Sequence, residues 1–479
     1  MNRNLISSTI LFTLFIVPFF AKAQYLVGNE FLGSTPATVL TAIASEFPIH
    51  YDVDYYRLTY NTVNTAGEPT IASGGVAIPV STTCQTFPMM AYCHGTVLRQ
   101  LDVPSQQNYE SVIVKVFAST GFIAVAPDYL GLGENEGIHP YVHAVSEATA
   151  TIDLIRATRE FLESFPIIDN GETFITGYSQ GGQAAMATLK YAQENGLNDE
   201  LGIVAGAPCS GPYDLSGSQA EVLLSDAPYS NPGYVVYLLI SYQLAYGNLY
   251  SELSDIIQSP YDVEIAPYFD GAQNIYDMGV VNAILPHQLS DLLVDTVYAN
   301  FQSNLNHPLW VALRDNDTYN WTPEVPIRMF YCTGDEQVDY HNSLKADSTM
   351  NANGEVDVQA INSLEGANHG ACVIPALTDA FTFFSGLASG CDFETSIADL
   401  EVLQLEIFPN PAQDYIRINI PEKRGEVSIY DLYGRLIMTA KVSQGQAQVD
   451  VEKLASASYI VSFEGDDVIR RATIVVKRN

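Results

Sequence analysis

The chain has 479 residues, 47% of them apolar, including 29 Tyr and 21 Phe. That length exceeds what one hydrophobic core usually serves, so two or three domains are expected, and the apolar content excludes a disordered chain. The net charge of −34 argues against nucleic acid or anionic membrane as a partner, because their phosphates would be repelled.

In chain order, Met1 to Asn4 is a weakly positive head, Leu5 to Phe20 an apolar run, and Ala21-Lys22-Ala23 a small-residue cleavage pattern. Residues 1–23 are therefore expected to be a signal peptide, with Gln24 as the mature start. No later stretch is long and apolar enough to span a bilayer. From Tyr51 to about Gln193 short apolar runs alternate with helical ones. Gly75–Pro79, Pro88–Cys93, Phe122–Ala126 and Thr173–Thr176 read as strands. Val112–Ser119, Ser146–Phe165 and Gln183–Gln193 read as helices. Continuously apolar strands separated by helices predict an α/β fold, with a mostly parallel sheet covered on both faces.

After the strand Ile203–Ala207 the alternation stops. Residues 211–322 are Tyr-rich and helical, over Val235–Leu253, Asp277–Leu285 and Gln288–Asn300, and are expected to form an inserted cap. Strands resume at Ile327–Cys332 and Asp357–Ile361, and a helix at Pro375–Ala388 closes the body. The expected body thus comprises 24–210 and 323–395, followed by a linker at 396–405. The tail, 406–479, balances ten basic against ten acidic residues, whereas residues 24–405 hold only nine Lys or Arg against 45 Asp or Glu. Its period-two runs Tyr415–Ile420 and Glu426–Tyr430, with turns at Leu432–Arg435 and Glu464–Asp466, predict a small β-sandwich.

Six cysteines (Cys84, Cys93, Cys209, Cys332, Cys372, Cys391) in an exported chain can pair, and spacing does not choose the pairing. Cys93 and Cys332 lie within apolar strands, where a buried free thiol is the alternative. No spacing suits zinc. Asp315-Asn316-Asp317 has no later Glu to complete a calcium loop and reads as a polar turn. Neither a metal nor a cofactor is expected.

The chemistry centres on Gly177-Tyr178-Ser179-Gln180-Gly181. Between an apolar strand and a small-residue helix, this pattern is a nucleophile elbow. A tight turn strains Ser179, and glycines at 177 and 181 remove the Cβ atoms that would collide. A serine hydroxyl needs a base. Of the downstream histidines, His369 follows the last strand and precedes the last helix, where this topology delivers one. His287, His307 and His341 read as surface residues. For the acid, Thr333 to Asp339 offers Asp335, Glu336 and Asp339. Asp335 is favoured because it sits at the strand's carboxyl end, although it could simply cap a helix; Asp339 is the second choice. Oxyanion donors are expected from the backbone N–H of Gln180 and of Thr96, with Gly95 as an alternative to Thr96. His94 lies upstream and reads as structural.

Tyr92–Thr96, Pro127–Gly133, His139-Pro140-Tyr141, Gly177–Gly181, Gly334–Val338 and Asn368–Gly370 together resemble the secretory lipase branch of the α/β-hydrolases, across roughly residues 50–390. The resemblance implies hydrolysis of carboxylic esters, lipid or small-molecule, by a Ser179–His369–Asp335 triad through an acyl-enzyme under a helical cap. Asp339 stands where that branch often has Pro after Val, which keeps both aspartates open as the acid. The tail motifs Phe408–Ala412, Tyr430–Arg435 and Lys477–Asn479 resemble the type A C-terminal sorting domain of the type IX secretion system. That implies this secretion machinery as a partner, outer-membrane passage, and release or surface attachment. A serine peptidase of the prolyl oligopeptidase kind and a non-catalytic adhesin on a hydrolase scaffold are the alternatives. The first would need the missing propeller, the second a broken triad.

Overall fold

The computed structural model describes residues 24–269, 277–354, 357–391, 402–422, 424–464 and 469–478. The expected signal peptide, residues 396–401 of the expected linker and the Gly465-Asp466 turn lie outside them. Among the described residues no helix is long and apolar enough to cross a membrane.

Nine strands form the body's sheet: β1 (Leu26–Thr35), β2 (Asp52–Val63), β3 (Pro69–Val80), β4 (Thr86–Cys93), β5 (Ile123–Pro127), β6 (Ile168–Tyr178), β7 (Ile203–Cys209), β8 (Ile327–Cys332) and β9 (Val358–Leu364). Their spatial order is β1-β2-β3-β5-β4-β6-β7-β8-β9. The run from β5 through β9 is parallel, and β1, β2 and β3 add an antiparallel edge. Strands β1 and β2 escape the sequence reading because half-exposed residues interrupt their apolar positions.

Alternation along the central strands sorts side chains to two faces. Met89, Ala91 and Cys93 pack with Ile152, Ile155 and Leu189 of the helices Ala144–Leu162 and Gln180–Glu194. Met90, Tyr92 and Phe174 pack with Val114 and Phe117 of Tyr109–Ser119 and with Phe384 of His369–Ser385. Each large side chain so buried contributes about 1.5–3 kcal/mol. The covered, mainly parallel sheet is the α/β architecture expected from the pattern.

Between β7 and β8 the described chain is helical. Its core joins Leu239, Tyr242, Leu292, Phe301 and Leu313 with Tyr141 and Val142 of the body. The helix Pro232–Tyr246 begins with Pro at its first turn and ends at Gly247 in the left-handed region, as helix termini favour. The tail strands, from Val402–Gln404 to Ile469–Val476, pair into one separate eight-stranded sheet. Its own core includes Ile416, Ile418, Val427, Ile429, Val461 and Ile474.

Candidate active site

Strands β4, β6, β8 and β9 end at one edge of the sheet, with Cys93 opposite Gly177 and Cys332 opposite Leu364. Four loops therefore converge there. Ser179 follows β6 directly and has φ 62°, ψ −123°, a conformation that a non-glycine residue adopts only at a cost of about 1–3 kcal/mol. The glycines around it are sterically required. A Cβ at Gly177 would lie 2.2 Å from the Gly181 carbonyl oxygen, and one at Gly181 would lie 1.9 Å from that of Cys93. Ser179 is 8% exposed and stands at the start of the helix Gln180–Glu194, where free N–H groups and the helix dipole favour negative charge.

His369 opens its own helix, which Asn368 caps by accepting from the Ala371 N–H at 2.9 Å. Asp335 Oδ2 accepts from His369 Nδ1 at 2.7 Å. Asp335 Oδ1 accepts from the N–H groups of Gln337 (3.0 Å) and Val338 (2.9 Å). The carboxylate is thus fixed by two backbone donors and turned onto the imidazole; it caps the turn and holds the histidine together. Asp339 is elsewhere, accepting from His341 Nδ1 at 2.6 Å on the exposed start of a helix. Two supports were not foreseen. Glu336 Oε2 accepts from the His369 N–H at 3.0 Å, and Tyr178 Oη donates to the His369 carbonyl at 2.6 Å. Among the described residues no hydrogen bond joins Ser179 to His369.

A disulfide between Cys332 and Cys372 brackets this pair, three residues before Asp335 and three after His369. Cys332 is therefore not the free thiol that its apolar surroundings suggested. The second disulfide is Cys84–Cys391, while Cys93 and Cys209 are free and buried. Burial pushes the Cys93 thiol up to about 12, so this neighbour of the elbow stays protonated and is no rival nucleophile. His307 is a further correction. It is buried and caps the helix Pro308–Asp315 by accepting from the Leu309 N–H at 3.2 Å. His287 and His341 are exposed, as expected.

The loop His94-Gly95-Thr96 lies over Ser179: a Cβ on Gly95 would be 4.0 Å from Ser179 Cβ. Thr96 Oγ1 is 3.0 Å from Tyr141 Oη. His94 is fully buried between the carbonyls of Gly95 (2.8 Å) and Asp128 (3.3 Å). Burial lowers it to about 4, so the ring is neutral and donates to only one of the two carbonyls. Beside Ser179 a cavity opens under the helical segment, lined by Leu215, Tyr234, Leu239, Phe301 and Leu313 among others. Tyr237 and Tyr242 pack in the core of this segment, whereas Tyr234 faces the cavity.

Residues 99–384 match the secretory lipase family, and residues 406–477 match the secretion system C-terminal sorting domain. The rice cell wall degrading esterase LipA from Xanthomonas oryzae is similar, at 28% identity and a TM-score of 0.67 over 75% of this chain and 96% of that one. A Legionella pneumophila protein has 27% identity and a TM-score of 0.68, covering 76% and 98%. Lipase A of Candida antarctica in its closed state shares the fold at 17% identity and a TM-score of 0.57, covering 77% and 82%. No curated protein matches the chain.

Proposed function

The chain belongs to the secretory lipase family and is a secreted hydrolase acting on esters; from that premise we propose that Ser179, His369 and Asp335 form its catalytic triad. The observation that carries this reading is the 2.7 Å contact between Asp335 and His369 Nδ1, set at the same sheet edge as a strained serine at a helix N-terminus.

Asp335 accepts a hydrogen bond from His369 Nδ1–H, which leaves Nε2 as the basic nitrogen. Nε2 takes the Ser179 hydroxyl proton as Oγ attacks the ester carbonyl. The histidine–serine hydrogen bond is made as substrate enters, since such contacts are often long in the free enzyme. The carbonyl oxygen, now negative, receives the N–H of Gln180 and that of Thr96. His369 returns the proton to the leaving alcohol, and an acyl group remains on Ser179. Water, deprotonated by the same nitrogen, then releases the acid and restores the serine. Asp335 stays ionised throughout and steadies the imidazolium.

The cavity beside Ser179 holds the acyl chain, because its lining is almost wholly apolar. In this reading residues 24–210 and 323–395 are the hydrolase body, 211–322 the cap, 396–405 a linker, and 406–479 the domain presented to type IX secretion machinery. The test is release of nitrophenol from acyl esters of increasing chain length. Wild type should turn them over and Ser179→Ala should not; full turnover by the variant would end the proposal.

A further inference from the structure

Three side chains behind the elbow have no part in the steps above, yet they are joined to it. Glu147, on the helix Ala144–Leu162, is fully buried, and so are His139 and Gln180. The Gln180 carboxamide nitrogen lies 2.7 Å from Glu147 Oε1 and 2.7 Å from His139 Nε2. Glu147 Oε1 also accepts from the Val142 N–H at 3.2 Å.

Proton positions in this cluster follow from its acceptors. His139 Nδ1 is 2.9 Å from the Leu130 carbonyl oxygen, which can only accept, so Nδ1 carries the hydrogen. Burial pushes the imidazole down to about 3, so the ring is neutral and Nε2 is an acceptor. Only the NH₂ end of Gln180 can satisfy it, and the second hydrogen of that NH₂ goes to Glu147. Both amide protons are therefore committed, and the side chain can sit only one way round. The opposite end is left unserved: Gln180 Oε1 and Glu147 Oε2 are buried without a hydrogen-bond partner among the described residues. A buried polar cluster with two orphaned oxygens costs stability, of order 1–3 kcal/mol for each orphan. An apolar trio would avoid that cost.

Gln180 is the residue whose backbone N–H receives the oxyanion in the reading above. We infer that Glu147 is a positioning residue of this hydrolase, which by gripping the Gln180 carboxamide together with His139 holds the Gln180 backbone N–H aimed at the oxygen of the tetrahedral intermediate. The inference rests on Ser179 being the nucleophile. Its consequence is that loss of the Glu147 acceptor should weaken the transition state and leave ground-state binding alone.

The full-length protein tests this with Glu147→Leu, Glu147→Gln, Gln180→Leu and Ser179→Ala, assayed on p-nitrophenyl butyrate and against a trifluoromethyl ketone. The ketone forms a hemiketal oxyanion on the serine and so reports the hole directly. Glu147→Leu should lower kcat about 10- to 100-fold, less than the roughly 10²- to 10³-fold cost of losing an oxyanion donor outright, with KM within about threefold. Its ketone Ki should rise by the same factor. Glu147→Gln still offers an acceptor to Gln180 and should stay within about threefold of wild type, a rescue that general loss of packing would not give. Gln180→Leu, which removes the gripped group and keeps the backbone N–H, should match Glu147→Leu. It answers the question if that variant fails to fold. Wild-type kcat and Ki in Glu147→Leu or Gln180→Leu, with Ser179→Ala inactive, would overturn this inference and leave the triad standing. Turnover by Ser179→Ala would overturn both.

Discussion

Replacing Cys332 and Cys372 together by alanine removes the bridge that encloses the acid and the base. The cysteines are separated by 40 positions in sequence. Loop-closure entropy for that span is about 13 cal/mol/K, or about 4 kcal/mol at room temperature. Both residues are fully buried, so lost sulfur packing adds to the effect with the same sign. With an unfolding entropy of about 2.1 cal/mol/K per residue over roughly 370 body residues, 4 kcal/mol corresponds to a Tm lowered by about 5 °C. The bridge also restrains two loops whose meeting defines the 2.7 Å Asp335–His369 contact, so kcat of the folded variant should fall about tenfold. The comparison is Cys84→Ala/Cys391→Ala, which opens a span of 307 positions. Cys84 precedes β4 at the edge of the sheet opposite the site, so that variant should lose at least as much stability and keep its kcat. Calorimetry and initial rates on the two double variants decide the matter. A Tm within about 1 °C of wild type for Cys332→Ala/Cys372→Ala, or equal kcat losses in both pairs, would refute the reasoning.

Other consequences are as direct. Asp335→Asn should lower kcat by about 10³- to 10⁴-fold, because the imidazole loses its orienting acceptor, while Asp339→Asn should stay within about twofold; steady-state rates on one ester suffice. Burial pushes the Glu147 carboxyl up to about 8, from an ordinary 4.5. The unfolded chain therefore gives up this proton first as pH rises, so the Glu147 contribution to stability declines from about pH 4.5 to about pH 8 and is level above. Glu147→Gln cannot ionise, and its Tm relative to wild type should climb through that window; parallel curves would contradict the assignment. Truncation after Ser396 should leave ester hydrolysis intact and keep the protein in the periplasm. Fractionation of an expressing host checks this, and normal export would remove the sorting role.

Local pattern carried far in this sequence where a structural demand falls on consecutive residues. The elbow is one case: the close approaches at Gly177 and Gly181 to the backbone of residues 181 and 93 admit only glycine, and the requirement is visible in five letters. The central parallel strands are another, since burial on both faces makes β4, β5 and β7 continuously apolar. Preference for Asp335 over Asp339 rested on its place at the end of β8, and the structure sets Asp335 against His369 and Asp339 against His341. What escaped depends on partners far along the chain. The half-exposed strands β1 and β2 have mixed patterns, and β2 is recognisable only beside β3. His307 looks like a surface residue until its helix folds over Phe301. Disulfide pairing is set by which strand ends meet which helix starts. The grip of Glu147 on Gln180 spans 33 positions and leaves no local trace, because a lone Glu on a helix ordinarily faces water.

The central claim is that Ser179 is the nucleophile, and covalent capture tests it most directly. A fluorophosphonate ester should add to the full-length enzyme once, the adduct should map to the peptide holding Ser179, and ester turnover should fall in step with labelling. Ser179→Ala should take up no label. Modification at any other residue, or turnover that persists in fully labelled enzyme, would contradict the account.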